Sequence, residues 1–209
     1  MERAPASSGD APDVLVLDIA VGQPVRSEQL KALRASGTRL FLKVASSVTG
    51  PDLDQLIAAL LPDGLVPSGL DDPKELQKLD ALLSVAEVRS GLAEGQTGIA
   101  LLVDNARMLS KLQDVPAQSK RMTAIGWDGE RLTESLRLPR ASSEHLSGPV
   151  FSTVRSLVLI SARAAGVTAL DYVPQRLSPT DAMMRLGALS ADDGFDGLFC
   201  GTPPMALTV

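Results

Sequence analysis

The chain has 209 residues, a formal net charge of −5 at pH 7 and a hydrophobic content of 44%. This length and composition predict a globular protein with a buried core. The acidic balance and the aromatic content of 3% argue against a nucleic-acid partner or an anionic membrane surface. No segment reaches the roughly eighteen consecutive apolar residues that cross a bilayer, so we expect a cytoplasmic protein without a membrane partner.

Cysteine and histidine each occur once, as Cys200 and His145. A single cysteine cannot form an internal disulfide, and one residue of each type cannot build a zinc cage. Any metal must therefore be bound by oxygen atoms, which favours magnesium or manganese. We expect Cys200 to pack inertly in its strand and His145 to be solvated in a polar loop.

Apolar runs and amphipathic stretches alternate along the chain after a polar, proline-bearing start. Residues 1–12 are predicted to be a disordered tail, followed by a single domain over residues 13–209. The predicted strands cover residues 14–17, 39–44, 63–66, 98–103, 121–125, 167–170 and 196–200. The predicted helices cover residues 27–36, 51–61, 73–88, 106–112, 150–165 and 178–189, with a polar loop over 137–149.

The alternation of strand and helix occurs about seven times at a spacing near 30 residues, which predicts βαβ units and a parallel sheet. Such a chain either closes into a barrel or winds on both sides of an open sheet. A G-x-G-x-x-G motif after the first strand would favour the wound sheet, but the sequence has neither this motif nor a Walker-type phosphate loop. We therefore predict an α/β fold of the TIM-type (βα)8 barrel class, with about seven of the eight units visible.

Acidic residues lie at the ends of four predicted strands: Asp18, Asp104, Asp128 and Asp171. In a barrel these side chains would meet at one mouth, because the carboxyl ends of parallel strands share one face. Carboxylates gathered there could bind a divalent cation that polarises a substrate carbonyl or stabilises an enolate. The alternative is that each aspartate only caps the loop or helix that follows it.

Five segments resemble the citrate lyase beta-chain and HpcH/HpaI aldolase family in order and spacing. They are DVLVLDIAVGQPV, IALLVDNARML, MTAIGWDGERL, LVLISARAAGVTALDYV and DDGFDGLFCGTPP, within residues 13–205. The resemblance implies a magnesium-dependent barrel that cleaves or forms carbon–carbon bonds in 3-hydroxyacyl-CoA thioesters or 2-oxo acids. It also implies an incomplete barrel, without the family's opening strand and C-terminal extension, and hence a homo-oligomer or a partner of a related lyase subunit.

The same resemblance assigns roles to individual positions. The family's metal-binding glutamate falls on Asp104, and its metal-binding aspartate falls on Gly129, where the neighbouring Asp128 could replace it. The family's substrate-binding arginine falls near Lys43, which keeps the charge but not the bidentate geometry. We therefore predict Asp104 and Asp128 as metal ligands, and Lys43 and Asp18 as catalytic residues.

Two functions follow from these assignments. The first is a magnesium-dependent carbon–carbon lyase or aldolase that acts on a small carboxylate or an acyl-CoA. The second is a catalytically degenerate paralogue that acts as a partner or regulatory subunit of a full-length lyase. The second is suggested because Pro67-Ser68-Gly69-Leu70 replaces the family's Pro-Lys-Val-Glu segment. A mouth filled by Trp127 or by the apolar C-terminus would favour it further.

Overall fold

Seven strands form one parallel sheet in which the spatial order follows the order of the sequence. The computed structural model describes residues 14–18, 34–35, 37–138, 148–173 and 181–200, except for the side chains of residues 181–186 and 200. The strands are β1 Val14–Asp18, β2 Arg39–Ala45, β3 Gly64–Ser68, β4 Gly98–Val103, β5 Met122–Trp127, β6 Thr168–Val173 and β7 Gly197–Cys200. All seven predicted strands are therefore present.

The unbroken order β1 to β7 distinguishes a barrel from a doubly wound sheet, in which the strand order reverses at one point. Because every crossover turns in the same sense, the sheet curls as strands are added. Val16 of β1 and Phe199 of β7 line the same pocket, so the two outer strands approach each other. The predicted TIM-type barrel is confirmed in incomplete form. Among the described strands, no hydrogen-bonded ladder joins β1 to β7.

Helices follow most of the strands and cover the outside of the sheet. They are α1 Gly50–Leu60, α2 Lys74–Arg89, α3 Ala106–Ser110, α4 Gly129–Ser135, α5 Pro149–Ala165 and α6 Asp181–Asp192, with a 3-10 helix over Leu112–Ala117. Helix α4 was not predicted. The tail at residues 1–12, most of the helix predicted over 27–36, and His145 lie outside the described residues. None of the described helices combines the length and the apolar character needed to span a membrane.

Two apolar layers hold the sheet in place. The smaller layer fills the inside of the barrel and contains Phe41, Val66, Ala100, Leu102 and Ala124. The larger layer lies between the sheet and the helices, and includes Leu42, Val44, Leu53, Ile57, Leu76, Leu83, Leu101, Val103 and Val158. Neighbouring residues of one strand belong to different layers because strand side chains alternate between faces. This alternation determines which side chains can reach a site inside the barrel.

A buried ion pair joins α2 to the start of β5, at the end of the barrel opposite to the carboxyl ends of the strands. Glu87 is 0% exposed, and its carboxylate accepts two hydrogen bonds of 2.9 Å from the guanidinium of Arg121. It also accepts hydrogen bonds from the backbone amides of Gly95 and Thr97. Arg121 donates a further hydrogen bond to Asp80. This network connects α2, the loop before β4, and β5.

Candidate functional site

A pocket opens at the carboxyl ends of the strands, as the barrel prediction requires. The pocket and its opening have an empty volume of about 290 Å³. Its lining residues are Val16, Lys43, Val66, Pro67, Ser68, Leu102, Asp104, Asp128, Arg131 and Phe199. Three of the four predicted site residues, Lys43, Asp104 and Asp128, therefore line one pocket. The fourth, Asp18, lies beside Lys43.

Lys43 reaches the pocket because it lies on the inner face of β2. Its neighbours Leu42 and Val44 belong to the helix-facing layer, so the side chain of Lys43 points to the inside of the barrel. Asp18 is its partner in the register between β1 and β2, and Lys43 Nζ lies 3.5 Å from Asp18 Oδ2. Asp18 is exposed, and such ion pairs contribute little to stability. Lys43 can therefore exchange Asp18 for an anionic ligand at small cost.

Asp104 follows β4 directly and is held by three hydrogen bonds. Its side chain is 7% exposed. Oδ2 accepts a hydrogen bond of 2.8 Å from the backbone amide of Gly69 and one of 3.1 Å from Arg131 Nη1. Oδ1 accepts one of 2.9 Å from Asn105 Nδ2. Both carboxylate oxygens are thus already bound by protein donors.

Asp128 begins α4 as its N-cap. Its Oδ1 accepts a hydrogen bond of 3.1 Å from the backbone amide of Arg131, and its own amide donates to Val103 O at 3.0 Å. Asp128 therefore caps the helix that follows it, which was the alternative to a role in metal binding. Asp128 thus holds the backbone amide of Arg131, and Asp104 holds its guanidinium group. Sequence reasoning missed Arg131 because it missed α4, although an aspartate directly after a strand, followed by Glu130 in the next turn, is a signal for the start of a helix.

The magnesium ion that the resemblance implies requires carboxylate oxygens free for octahedral coordination. The resemblance assigns the family's second acidic ligand to Gly129, and a Cβ atom built there would lie 2.6 Å from Tyr172 Cδ1 and 3.2 Å from Trp127 Cζ3. Tyr172 thus occupies the space that an aspartate would need. Within the described residues, no group of three or more His, Cys, Asp or Glu side chains could hold a metal ion.

The arrangement therefore does not fit a magnesium ion, and we assign no chemical step to one. Asp104 is bound to Arg131, Asp128 caps a helix, and position 129 carries no side chain. The assignment of Asp104 and Asp128 as metal ligands stays a prediction that the contacts of these residues do not support.

Asp171 lies away from the mouth, so the expectation that all four aspartates meet there is wrong. β6 continues to Val173, which places Asp171 inside the strand and on its helix-facing side. The side chain is almost fully buried and accepts hydrogen bonds from Arg155 Nη2 at 2.7 Å and Ser190 Oγ at 2.6 Å. Trp127 Nε1 donates a third, of 2.9 Å. Asp171 therefore joins α5 and α6 to the sheet.

Trp127 does not fill the mouth. The alternation of β5 turns its ring outward, where it stacks on Phe151 of α5 at a centroid distance of 5.5 Å and is 2% exposed. A mouth closed by Trp127, which would have favoured a degenerate paralogue, is therefore not found; the C-terminal residues 201–209, which could also close it, lie outside the described residues.

We expect Asp171→Asn to lower the free energy of unfolding by about 2 kcal/mol at pH 7, because its charged hydrogen bonds are lost. Burial raises the pKa of Asp171, but hydrogen bonds from Arg155, Ser190 and Trp127 outweigh it and hold the pKa below its usual range. This stabilisation is present above the unfolded-state pKa of about 3.9 and is lost as the pH falls through the lower folded-state pKa.

Urea denaturation between pH 7 and pH 2 measures this effect. The difference in the free energy of unfolding between wild type and Asp171→Asn should shrink below pH 4, because Asp171 becomes protonated there. Asp193→Asn is the control, because Asp193 pairs with the same Arg155 at 2.8 Å but is exposed. A difference that does not vary with pH would contradict the assigned role of Asp171.

Comparison with known proteins agrees with this fold. The sequence model of the HpcH/HpaI aldolase/citrate lyase family matches residues 8–203. The citrate lyase subunit beta of Haemophilus influenzae is 22% identical over 197 residues, which is 89% of this chain and 66% of that protein. The corresponding subunit of Leuconostoc mesenteroides is 27% identical over 122 residues, 58% of this chain and 39% of that protein. The chain thus spans less than two thirds of each relative.

Solved structures share the fold. The citrate lyase beta subunit of Mycobacterium tuberculosis, complexed with oxaloacetate and magnesium, has a TM-score of 0.63 and 20% identity, covering 90% of this chain and 81% of that one. The CitE protein of the same organism, in complex with magnesium, acetoacetate and coenzyme A, has a TM-score of 0.64 and 20% identity, covering 90% and 67%. Since the family model matches nearly the whole sequence, this chain belongs to the HpcH/HpaI aldolase/citrate lyase family.

Proposed function

We propose that the mouth pocket binds a small carboxylate, either a 2-oxo acid or a 3-hydroxyacyl thioester, and that the chain cleaves or forms a carbon–carbon bond in it. The observation that carries the proposal is the position of Lys43, whose side chain lines the pocket and whose ammonium group pairs with the exposed and exchangeable Asp18. The mycobacterial relatives bind oxaloacetate, which is a 2-oxo acid, and acetoacetate together with coenzyme A, which is the thiol that forms acyl thioesters.

Retro-aldol cleavage of such a ligand needs a base and a positive charge. In a 3-hydroxyacyl thioester, a base removes the proton of the 3-hydroxyl group, C3 becomes a carbonyl as the bond between C2 and C3 breaks, and the electron pair of that bond forms the thioester enolate, which is then protonated at C2. A nearby cation lowers the barrier by stabilising the enolate oxygen. We assign the ligand carboxylate to Lys43 and the proton transfer to Asp18, whose carboxylate is released when the ligand takes its place on Lys43.

Lys43→Met should weaken oxaloacetate binding at least about tenfold, because one charge-assisted hydrogen bond is lost. Isothermal titration calorimetry of oxaloacetate measures the effect. Lys43→Arg keeps the charge and should retain binding within a few-fold of wild type.

Lys78→Met, on the exposed face of α2, is the matched control and should bind oxaloacetate like wild type. Equal affinities for wild type and Lys43→Met would refute the assignment of the carboxylate to Lys43.

A degenerate paralogue is the second candidate, and the packing of Tyr172 against Gly129 favours it because the position of a family ligand is closed. Such a chain would bind the carboxylate without cleaving it and act as a partner or regulatory subunit of a full-length lyase. Cytoplasmic location and homo-oligomeric assembly stay predictions in either case.

The two candidates differ in turnover. Proton NMR of 3-hydroxyacyl-CoA or oxo-acid ligands at saturation would follow the appearance of cleavage products. Products that form with wild type and not with Lys43→Met would support the lyase. Saturable binding without products would support the paralogue.

A further inference from the structure

We infer that Arg131 takes the place of a metal ion at the barrel mouth, so that this chain binds its carboxylate ligand without magnesium. The inference rests on the proposed carboxylate site and names the cation that acts there beside Lys43. It also explains why the acidic residues of the mouth are not free to coordinate a metal.

The guanidinium of Arg131 lies on the carboxylate that the family resemblance assigns to the metal. Arg131 Nη1 is 3.1 Å from Asp104 Oδ2, and the Arg131 amide is held by Asp128 Oδ1 at the same distance. The two predicted metal ligands therefore bind two ends of one arginine. Asp104 is nearly buried, while the Arg131 side chain is 47% exposed and lines the pocket. The buried acid thus holds a cation that remains accessible to a ligand.

The change at position 129 fits the same interpretation. With glycine there and Tyr172 in the adjoining space, the mouth has one carboxylate fewer than the family pattern provides. A divalent ion next to Asp104 would lie close to the guanidinium charge, and the remaining acids would have to offset both. The absence of an acid at position 129 and the guanidinium bound to Asp104 therefore both disfavour a divalent ion at the mouth.

An arginine can perform the electrostatic part of the metal's task. Its planar guanidinium offers five donors, and the contact with Asp104 uses Nη1. Its other donors suit a carboxylate or an enolate oxygen, which they can bind with two parallel hydrogen bonds. Lys43 enters the same pocket from β2. A ligand with a carboxylate and a neighbouring oxygen, such as a 2-oxo acid, would meet one cation at each group.

Calorimetry of freshly prepared oxaloacetate tests this inference in two buffers, one with EDTA and one with millimolar magnesium chloride. Wild type should bind with the same affinity in both, within about twofold. Arg131→Met should bind at least tenfold more weakly in both, and Arg131→Lys should recover part of the loss. Thermal melts of the variants establish that they are folded, which is expected because the side chain is half exposed.

The outcomes separate the inference from the proposed function. Wild type that binds oxaloacetate only with magnesium would overturn the role of Arg131 and leave the carboxylate site intact. Wild type that binds in neither buffer would overturn both. Electron paramagnetic resonance of manganese, used as a stand-in for magnesium, adds a readout that is independent of the ligand. The free-ion signal should be unchanged by wild type, and bound manganese that is lost in Asp104→Asn would overturn the inference.

Discussion

Replacing Arg121 with methionine should lower the free energy of unfolding by about 3–5 kcal/mol, because it leaves a buried charge without its partner. Burial raises the pKa of Glu87, but hydrogen bonds from Arg121, Thr97 and Gly95 outweigh it and hold the pKa below its usual range. Glu87 is therefore charged at pH 7, and methionine cannot compensate that charge. Urea denaturation at pH 7, followed by far-ultraviolet circular dichroism, measures the loss.

Two further variants make this test specific. Glu87→Gln combined with Arg121→Met removes both charges, so the double variant should be more stable than Arg121→Met alone. Arg89→Met is the control for loss of an arginine from an ion pair, because Arg89 pairs with Asp54 on the exposed surface and should have little effect. A double variant that is less stable than Arg121→Met would contradict the explanation. Oxaloacetate binding should persist in all of them, since Arg121 lies at the opposite end of the strands.

Gly129→Asp, which restores the family's acidic residue, should destabilise the fold by about 3 kcal/mol and should not create a metal site. The reason is steric, since the added Cβ would lie 2.6 Å from the ring of Tyr172. The added carboxylate would also be buried among aromatic rings. Urea denaturation measures the first effect, and a manganese titration measures the second.

The matched control is Gly50→Asp at the start of α1, where the nearest atom to a built Cβ is 3.6 Å away. Its effect on the free energy of unfolding should be small, because an acid in the first turn suits the helix dipole. In a Tyr172→Ala background, the cost of Gly129→Asp should also decrease, since the ring is gone. If the cost is the same with and without the ring, Tyr172 does not close this position.

The fold could be predicted because its signals are local. β4 is an apolar run of six consecutive buried residues. Such a run is typical of a strand that is covered on both faces. The regular return of such runs predicts a parallel sheet, and the missing G-x-G-x-x-G motif favoured a barrel over a doubly wound sheet. The prediction failed at Asp171 because a charged residue ended the predicted strand, while Tyr172 and Val173 continue the pairing with β7. The charge of Asp171 is accommodated by an ion pair with Arg155 of α5. This is a tertiary contact, which a local sequence pattern does not show.

The site could be predicted only in part. Asp104 and Asp128 were singled out because each follows the end of a strand, and Lys43 because the family resemblance assigns a substrate-binding arginine near it; all three line the pocket. Arg131 was not found, because α4 has only seven residues and gives too short a pattern of periodicity. The contact of Tyr172 with Gly129 brings together distant segments, and no local pattern reports it. These two contacts, of Arg131 with Asp104 and of Tyr172 with Gly129, are the ones that argue against a magnesium site.

A crystal structure of the chain with oxaloacetate, grown in the presence of magnesium chloride, tests the central claim most directly. The claim is that Lys43 and Arg131 bind the ligand carboxylate at the barrel mouth without a metal. We expect ligand oxygens within about 2.7–3.0 Å of Lys43 Nζ and of the Arg131 guanidinium, with Arg131 still on Asp104. A magnesium ion bound to Asp104 and the ligand, with Arg131 displaced, would contradict the account.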